Sequence, residues 1–564
     1  MQPNKSIIAN MLKLIFALFL TLTSTLSWAG QGSVAVASAH PLATQAGLDV
    51  LKQGGNAFDA AVAVTAALAV VEPAGSGLGG GGFWLLHRAR DNFQIMIDGR
   101  EMAPGSAHRD MYLDKQGQFV PEASLNGPLA AGIPGVPAAL DHLSQHYGKL
   151  PLSVSLKPAI ALARNGFEVA EGYQRLASFR RPVLNRYPES RDIFLADGDV
   201  PAVGHLIIQA DLANTLAALA KHGKAAFYHG ELAKLLVNSV RQHGGIWSLQ
   251  DLANYQIKER QPIKGDYLGY RITSAALPSS GGIVMMLALN QLAEFDLANA
   301  DSLQKRHWTI EAMRRAYRDR SQYLGDEDFV SIPDYLTDKD YGQRLSQTID
   351  DHRASPLNDS RQDKKQGENT THFSVIDSEG NRVAATLSIN YPFGSGFVAE
   401  GTGVLLNDEM DDFSAQPGAA NVYGLVGNEA NAIAPYKRPL SSMSPTFIEG
   451  DARLMITGTP GGSRIISMVL LSLLDFVDGQ NAAAIVSRPR YHHQYLPDEV
   501  QVENSGFSET ELLDLKNRGH KVNRLTRQYG DMQTVIVNKQ TGHIDAASDP
   551  RGEGQAKIMT LVKD

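Results

Sequence analysis

One point constrains the fold of this chain more than any other, because its texture changes there. From Asp350 to Asn369 the sequence is polar and charged with no apolar period. At Thr370 a run of β-branched and aromatic residues begins, Thr370-Thr371-His372-Phe373-Ser374-Val375-Ile376-Asp377. Ahead of this boundary, apolar residues recur at helical spacing over Ala159–Ala163, Asp211–Lys221 and Gly230–His243. Behind it the pattern is of strands. His372–Asp377 and Arg382–Ile389 flank a hairpin-type turn at Ser378–Asn381, and Arg453–Gly458, Gln533–Asn538 and His543–Ala547 follow. A helical part followed by a strand-rich part predicts one α/β sandwich built from both, not two independent domains.

The earlier part also carries a strand candidate, Ser33–Ala39, and two helices across Ala43–Val71, interrupted by a turn at Gly54-Gly55-Asn56. The glycine run Gly75–Gly82 lacks the Lys-Ser/Thr ending of a phosphate loop and enters a strand, which excludes nucleotide binding. It reads as a tight turn packed against other backbone. Paired strands Phe83–His87 and Phe93–Asp98 then lead to Arg100, either a guanidinium presented to a carboxylate or a surface or Glu-paired arginine. Pro278-Ser279-Ser280-Gly281-Gly282 suits a helix start, with the helix over Ile283–Phe295. Arg314–Asp326 reads as a polar helix with a solvated or ion-paired face.

Composition removes several functions. The 564 residues hold no cysteine, so disulfides, thiolate catalysis and zinc–thiolate sites are excluded. A formal charge of −8 without a basic block excludes a nucleic-acid binder. In residues 1–29, Lys5 and Lys13 precede the short apolar run Leu14–Leu20, and Ser27 and Ala29 occupy the −3 and −1 positions of a signal cleavage site. This predicts a soluble exported protein, periplasmic in location, the alternative being an uncleaved N-terminal anchor.

Four stretches carry chemistry. The Asn369-Thr370 junction is either a loop meeting a strand or a scissile bond whose cleavage gives Thr370 a free amine beside its hydroxyl. Asn407-Asp408-Glu409-Met410-Asp411-Asp412 fails the calcium-loop spacing, and its carboxylates suit a substrate ammonium. The hydroxyls of Ser441 and Ser442 suit a carboxylate, and the adjacent N–H groups of Gly461 and Gly462 suit an oxyanion. His492-His493 has no ligand spacing, so no metal is assigned, and no GxSxG elbow is present.

Taken in order, GSGLGGGGFW, DGREMAP, PSSGG, DRSQYLGD, NTTHFSVID, NDEMDDFS, PYKRPLSSMSPT, GTPGGSR, PRYHHQ and ASDPR resemble the γ-glutamyltranspeptidase (glutathione hydrolase) family of N-terminal-nucleophile hydrolases. The resemblance implies a four-layer αββα sandwich and self-cleavage between Asn369 and Thr370. Residues 30–369 would form a large subunit and 370–564 a small one. Thr370 would then attack γ-glutamyl amides such as glutathione, and water or an acceptor amino acid or peptide would resolve the acyl-enzyme. Arg100, Ser441 and Ser442 would bind the donor's α-carboxylate; Asn390, Glu409 and Asp412 its α-ammonium; Gly461 and Gly462 would form the oxyanion hole. Ser388 would support the nucleophile, in a position where many members carry threonine. Position 409 is glutamate where some bacterial members have glutamine. Gln416–Arg438, with Tyr423, resembles a lid over the glutamyl pocket. No cofactor is implied. The alternatives are a glutaryl-type cephalosporin acylase of the same fold and an unprocessed binding protein.

Overall fold

Every residue of the strand Thr371–Ile376 is buried, and its side chains divide between two cores. Phe373 and Val375 join one hydrophobic cluster, while Ile376 joins the other. Side chains alternate across a strand, so a strand apolar on both faces lies in an inner layer. The strands Ser33–Ser38 and Gly81–Arg88 divide in the same way: Val34, Val36, Trp84 and Leu86 face one core, and Ala35, Ala37, Phe83 and Leu85 the other.

The computed structural model describes residues 32–357, 370–416 and 418–561. The export-signal reading of residues 1–29 and the Asn369 side of the cleavage site lie outside the described residues. Two antiparallel sheets form the inner layers. One has seven strands in the order 555–560, 33–38, 371–376, 382–388, 81–88, 93–99 and 258–260. The other has six, in the order 544–548, 533–538, 453–458, 446–449, 270–274 and 263–267. Helices Pro41–Lys52 and Ala57–Val71 cover the first sheet, and Gly281–Leu292 and Ile465–Val477 cover the second. The αββα order is therefore present, and both sheets contain strands from either side of Thr370, interleaved in the first and side by side in the second.

Local chemistry accounts for several elements. Asn56 caps Ala57–Val71 in a reciprocal box with Asp59. All fifteen residues of that helix are buried, so it is enclosed on every side and not amphipathic as its periodicity implied. The glycine run passes as close to backbone as expected. A Cβ on Gly79 would stand 2.0 Å from Leu405 O, and one on Gly80 2.1 Å from Ser388 O. Asn407 ties this run to the acidic loop, donating to Gly79 O at 2.6 Å and Gly132 O at 2.8 Å. Among the described residues no helix is long and apolar enough to cross a membrane.

Candidate active site

The ladder between Thr371–Ile376 and Arg382–Ser388 decides what stands beside Thr370. Leu387 pairs with Thr371, so one step along the two strands sets Thr370 next to Ser388. Their hydroxyl oxygens are 3.3 Å apart. Ser388 Oγ also accepts the Asn390 N–H at 2.8 Å, which pins that hydroxyl between the turn and Thr370. Thr370 has φ of 151°, a value that β-branched residues rarely adopt.

A cleft of about 290 Å³ has Thr370, Ser388, Asn390 and Gly462 in its wall. Arg100, just after the strand Phe93–Gly99, lines it with Glu409 and Asp412 from the acidic loop, and Ser441, Ser442 and Tyr423 complete it. Gly461 lies just beyond, lining a neighbouring cleft of about 1200 Å³ that shares Thr370. Residues from positions 100 to 462 thus converge on one hydroxyl.

The charges are arranged differently from the sequence expectation. Arg100 is wholly buried and pairs with both Glu409 and Asp412, the latter at 2.6 Å. Burial works against its charge, but the two carboxylates outweigh burial and hold it protonated. Burial is also the first cause pushing the Glu409 carboxyl well above the usual range, helped by Glu101 and Asp412 and opposed by Arg100. Asp412 is raised by burial too. The sequence reading set these groups at opposite ends of a bound zwitterion; the structure sets them against each other, because buried opposite charges offset one another's desolvation. Glu409 Oε2 remains buried without a hydrogen-bond partner.

The two serines sit on a turn laced to Pro278–Gly282: Ser441 N–H donates to Pro278 O at 2.8 Å and Ser280 N–H to Ser441 O at 2.9 Å. Ser441 Oγ accepts the Met443 N–H at 3.1 Å. Ser442 Oγ accepts from Arg320 Nη2 at 3.2 Å. Gly461 (φ 134°) and Gly462 (φ 56°) adopt backbone that favours glycine and lead into the helix Ile465–Val477. Their N–H groups therefore stand at the positive end of a helix.

Tyr423 closes the cleft. It is buried, its hydroxyl donates to Asn390 O at 2.7 Å, and a Cβ on Gly462 would stand 2.4 Å from its ring. Asn421 Nδ2 reaches Asp412 Oδ1 at 3.1 Å, which joins the same loop to the acidic stretch.

Several residues escaped the sequence reading. Arg314, Arg315, Asp319 and Arg320 were expected on a solvated or ion-paired face; all are buried, so the solvated alternative fails, and the ion-paired one holds for Arg314 and Arg315. Arg314 pairs with Asp498, and Arg315 with Glu311 at 2.7 Å. The apolar members Ile310, Met313 and Tyr317 of the same helix were the signal that it is enclosed. Glu72 and Asp531 line the second cleft. Burial pushes Glu72 up to about 8 and Asp531 well above the carboxylate range. His492 and His493 are structural: His492 meets Ser467 and Gln494 at 2.8 Å each, and His493 meets Asp498 at 3.3 Å. Among the described residues no three His, Asp or Glu side chains are grouped to hold a metal ion.

Comparison with known proteins agrees with this geometry. The Gamma-glutamyltranspeptidase family model matches residues 43–559. The chain is 45% identical over 528 residues to the glutathione hydrolase proenzyme of Escherichia coli (strain K12), covering 92% of this chain and 90% of that one. It is 36% identical to the corresponding Bacillus subtilis (strain 168) proenzyme, covering 94% and 92%. Among solved structures, a cephalosporin acylase from Bacillus halodurans superposes with TM-score 0.82 at 29% identity, covering 93% and 96%. A Helicobacter pylori γ-glutamyltranspeptidase gives TM-score 0.55 at 41% identity over 57% of this chain and 92% of that one.

Proposed function

The chain belongs to the γ-glutamyltranspeptidase family, and from that premise we propose how the residues of the cleft divide the work. The activity is that of a γ-glutamyltransferase and glutathione hydrolase. The residue roles rest on one observation: Thr370, Arg100, Glu409, Asp412, Ser441, Ser442 and Gly462 share one cleft.

The precursor cuts itself between Asn369 and Thr370, giving subunits 30–369 and 370–564 that stay associated as a heterodimer. The pairing of strands from both parts within each sheet supports that association. The Thr370 hydroxyl then attacks the γ-carbonyl of the donor, its proton passing to the residue's own free amine. Negative charge collects on the carbonyl oxygen, facing the Gly461 and Gly462 N–H groups. A single such donor is typically worth roughly 2.7–4 kcal/mol. The C–N bond breaks, the amine departs with the proton, and a γ-glutamyl ester remains on Thr370. Water gives glutamate; an acceptor amine gives a new γ-glutamyl amide. Ser388 keeps the nucleophile's hydroxyl in position.

Arg100, Ser441 and Ser442 take the α-carboxylate, and Asn390, Glu409 and Asp412 take the α-ammonium. A substrate ammonium entering between Arg100 and the acidic pair takes over the carboxylates that Arg100 holds, while the substrate's α-carboxylate takes over Arg100, which keeps the buried charges compensated. Tyr423 covers the bound glutamyl group and favours small donors. The second cleft, opening on the other side of Thr370, is the route for the leaving amine and the incoming acceptor. Residues 1–29 direct export to the periplasm.

Rates on γ-glutamyl-p-nitroanilide and glutaryl-p-nitroanilide test this reading against the acylase alternative. A glutaryl group has no α-ammonium, so it offers Glu409 and Asp412 no cation in place of Arg100. The γ-glutamyl donor is expected to be preferred by at least a hundredfold; preference for the glutaryl donor overturns the assignment.

A further inference from the structure

Arg320 is a buried cation that no carboxylate among the described residues meets in an ion pair. It is 5% exposed. Arg260 and Arg490, buried likewise, have acid partners, Asp98 at 2.8 Å and Asp549; Arg180 is buried with a carbonyl partner, Gly394 O at 2.7 Å. Arg320 instead donates from Nε to Ser280 Oγ at 2.8 Å and from Nη2 to Ser442 Oγ at 3.2 Å. Asp412 attracts it without an ion pair between them, and its own oxygens are engaged by Arg100 and Asn421. A buried, uncompensated charge is costly and persists where an anion is to be received.

The hydrogen-bond directions are informative. A guanidinium only donates, so Ser280 Oγ and Ser442 Oγ must accept from it. Ser280 passes its own proton to Ser441 O at 2.7 Å, which anchors the turn that carries both clamp serines. Ser442 Oγ has no acceptor for its proton among the described residues, and it lines the Thr370 cleft. With its oxygen held from behind, its O–H is left to donate forward.

Building on the α-carboxylate clamp argued above, we propose that Arg320 is a positioning residue for the donor's α-carboxylate. It orients the Ser442 hydroxyl toward that carboxylate and sets a second positive charge behind it. Arg100 contacts the carboxylate from one side; Arg320 acts through Ser442 from the other. Polarisation by the guanidinium strengthens Ser442 as a donor. The arrangement makes selectivity for donors bearing an α-carboxylate depend on a side chain outside the cleft wall.

The test compares two donors, γ-glutamyl-p-nitroanilide and 4-aminobutyryl-p-nitroanilide, which keeps the amine and lacks the α-carboxylate. In Arg320→Gln, KM for the γ-glutamyl donor is expected to rise about tenfold or more, with a smaller change in kcat. The 4-aminobutyryl donor should lose far less of its kcat/KM. Arg320→Lys, which keeps the charge and reaches one hydroxyl, should recover part of the KM; it also serves if the glutamine variant does not fold. Equal losses on both donors, or an unchanged KM in both variants, overturn the proposal. Ser442→Ala separates the two levels. If it leaves KM for the γ-glutamyl donor unchanged, the clamp reading itself fails; if it raises KM while the Arg320 variants do not, only this inference fails.

Discussion

Thr370 Oγ1 and Ser388 Oγ are cross-strand neighbours 3.3 Å apart at the end of a ladder whose residues are buried throughout. The separation exceeds an ideal O–H···O bond, so the hydroxyls are poised for a contact that tightens when Thr370 reacts. Serine lacks the methyl that limits threonine to fewer rotamers. Ser388→Ala should therefore lower kcat about two- to tenfold with KM nearly unchanged, the range of one hydrogen bond worth about 0.5–1.5 kcal/mol. Ser388→Thr should hold or raise kcat. A steady-state pair of kcat and KM for each variant decides this, and a change confined to KM would place Ser388 in substrate binding.

Thr370→Ala removes the hydroxyl that begins both self-cleavage and turnover. The purified variant should run as one band on a denaturing gel where the unmodified protein runs as two. Thr370→Ser should still cleave, more slowly, because the hydroxyl remains. Two bands from the alanine variant would show that another agent cuts the chain and that Thr370 owns neither step.

Gly462 and Tyr423 are matched by shape. Gly462→Ala must place a Cβ in left-handed backbone, which costs about 1–2 kcal/mol, and set it 2.4 Å from the Tyr423 ring. The ring must then leave the cleft. Activity should fall more than tenfold in Gly462→Ala, and Tyr423→Ala in the same chain should recover part of it, because the clash is gone while the strain remains. Additive losses in the double variant would mean that the two residues do not compete for this space.

What was legible in the sequence follows physical lines. Arg453–Gly458 and Gln533–Asn538 were read to their exact ends because apolar and β-branched residues run through them and turns bound them. The first two helices were legible from their apolar spacing and the turn at Gly54-Gly55-Asn56 between them. Arg320 was not, because its partners Ser280 and Ser442 stand far from it in the chain and no local period encodes them. The mutual pairing of Arg100 with Glu409 and Asp412 was equally hidden: the motifs give each residue's chemistry, and only the fold shows that they meet.

His520 offers a prediction about pH. His307 Nε2 meets the Asp350 carbonyl oxygen at 2.7 Å, and a carbonyl only accepts, so that nitrogen carries the proton. His307 Nδ1 then accepts from His520 Nε2 at 2.9 Å, and His520 Nδ1 is buried with no hydrogen-bond partner among the described residues. Both rings are neutral, and a further proton on His520 Nδ1 would have nothing to bond. Burial lowers His520 to about 3, against about 6.5 for an unfolded histidine. Between those values the unfolded chain binds a proton that the folded chain refuses, so this ring's contribution to stability falls as pH falls from about 6.5 toward 3. Above pH 6.5 both states are neutral and the contribution is constant. By pH 5 the loss amounts to about 1–2 kcal/mol. His520→Asn should be the less stable protein at pH 7.5, having lost a buried hydrogen bond. Between pH 7.5 and 5 its deficit relative to the unmodified protein should shrink by that amount. Paired urea or thermal unfolding at the two pH values measures the gap, and a gap that stays constant would show that His520 titrates alike in both states.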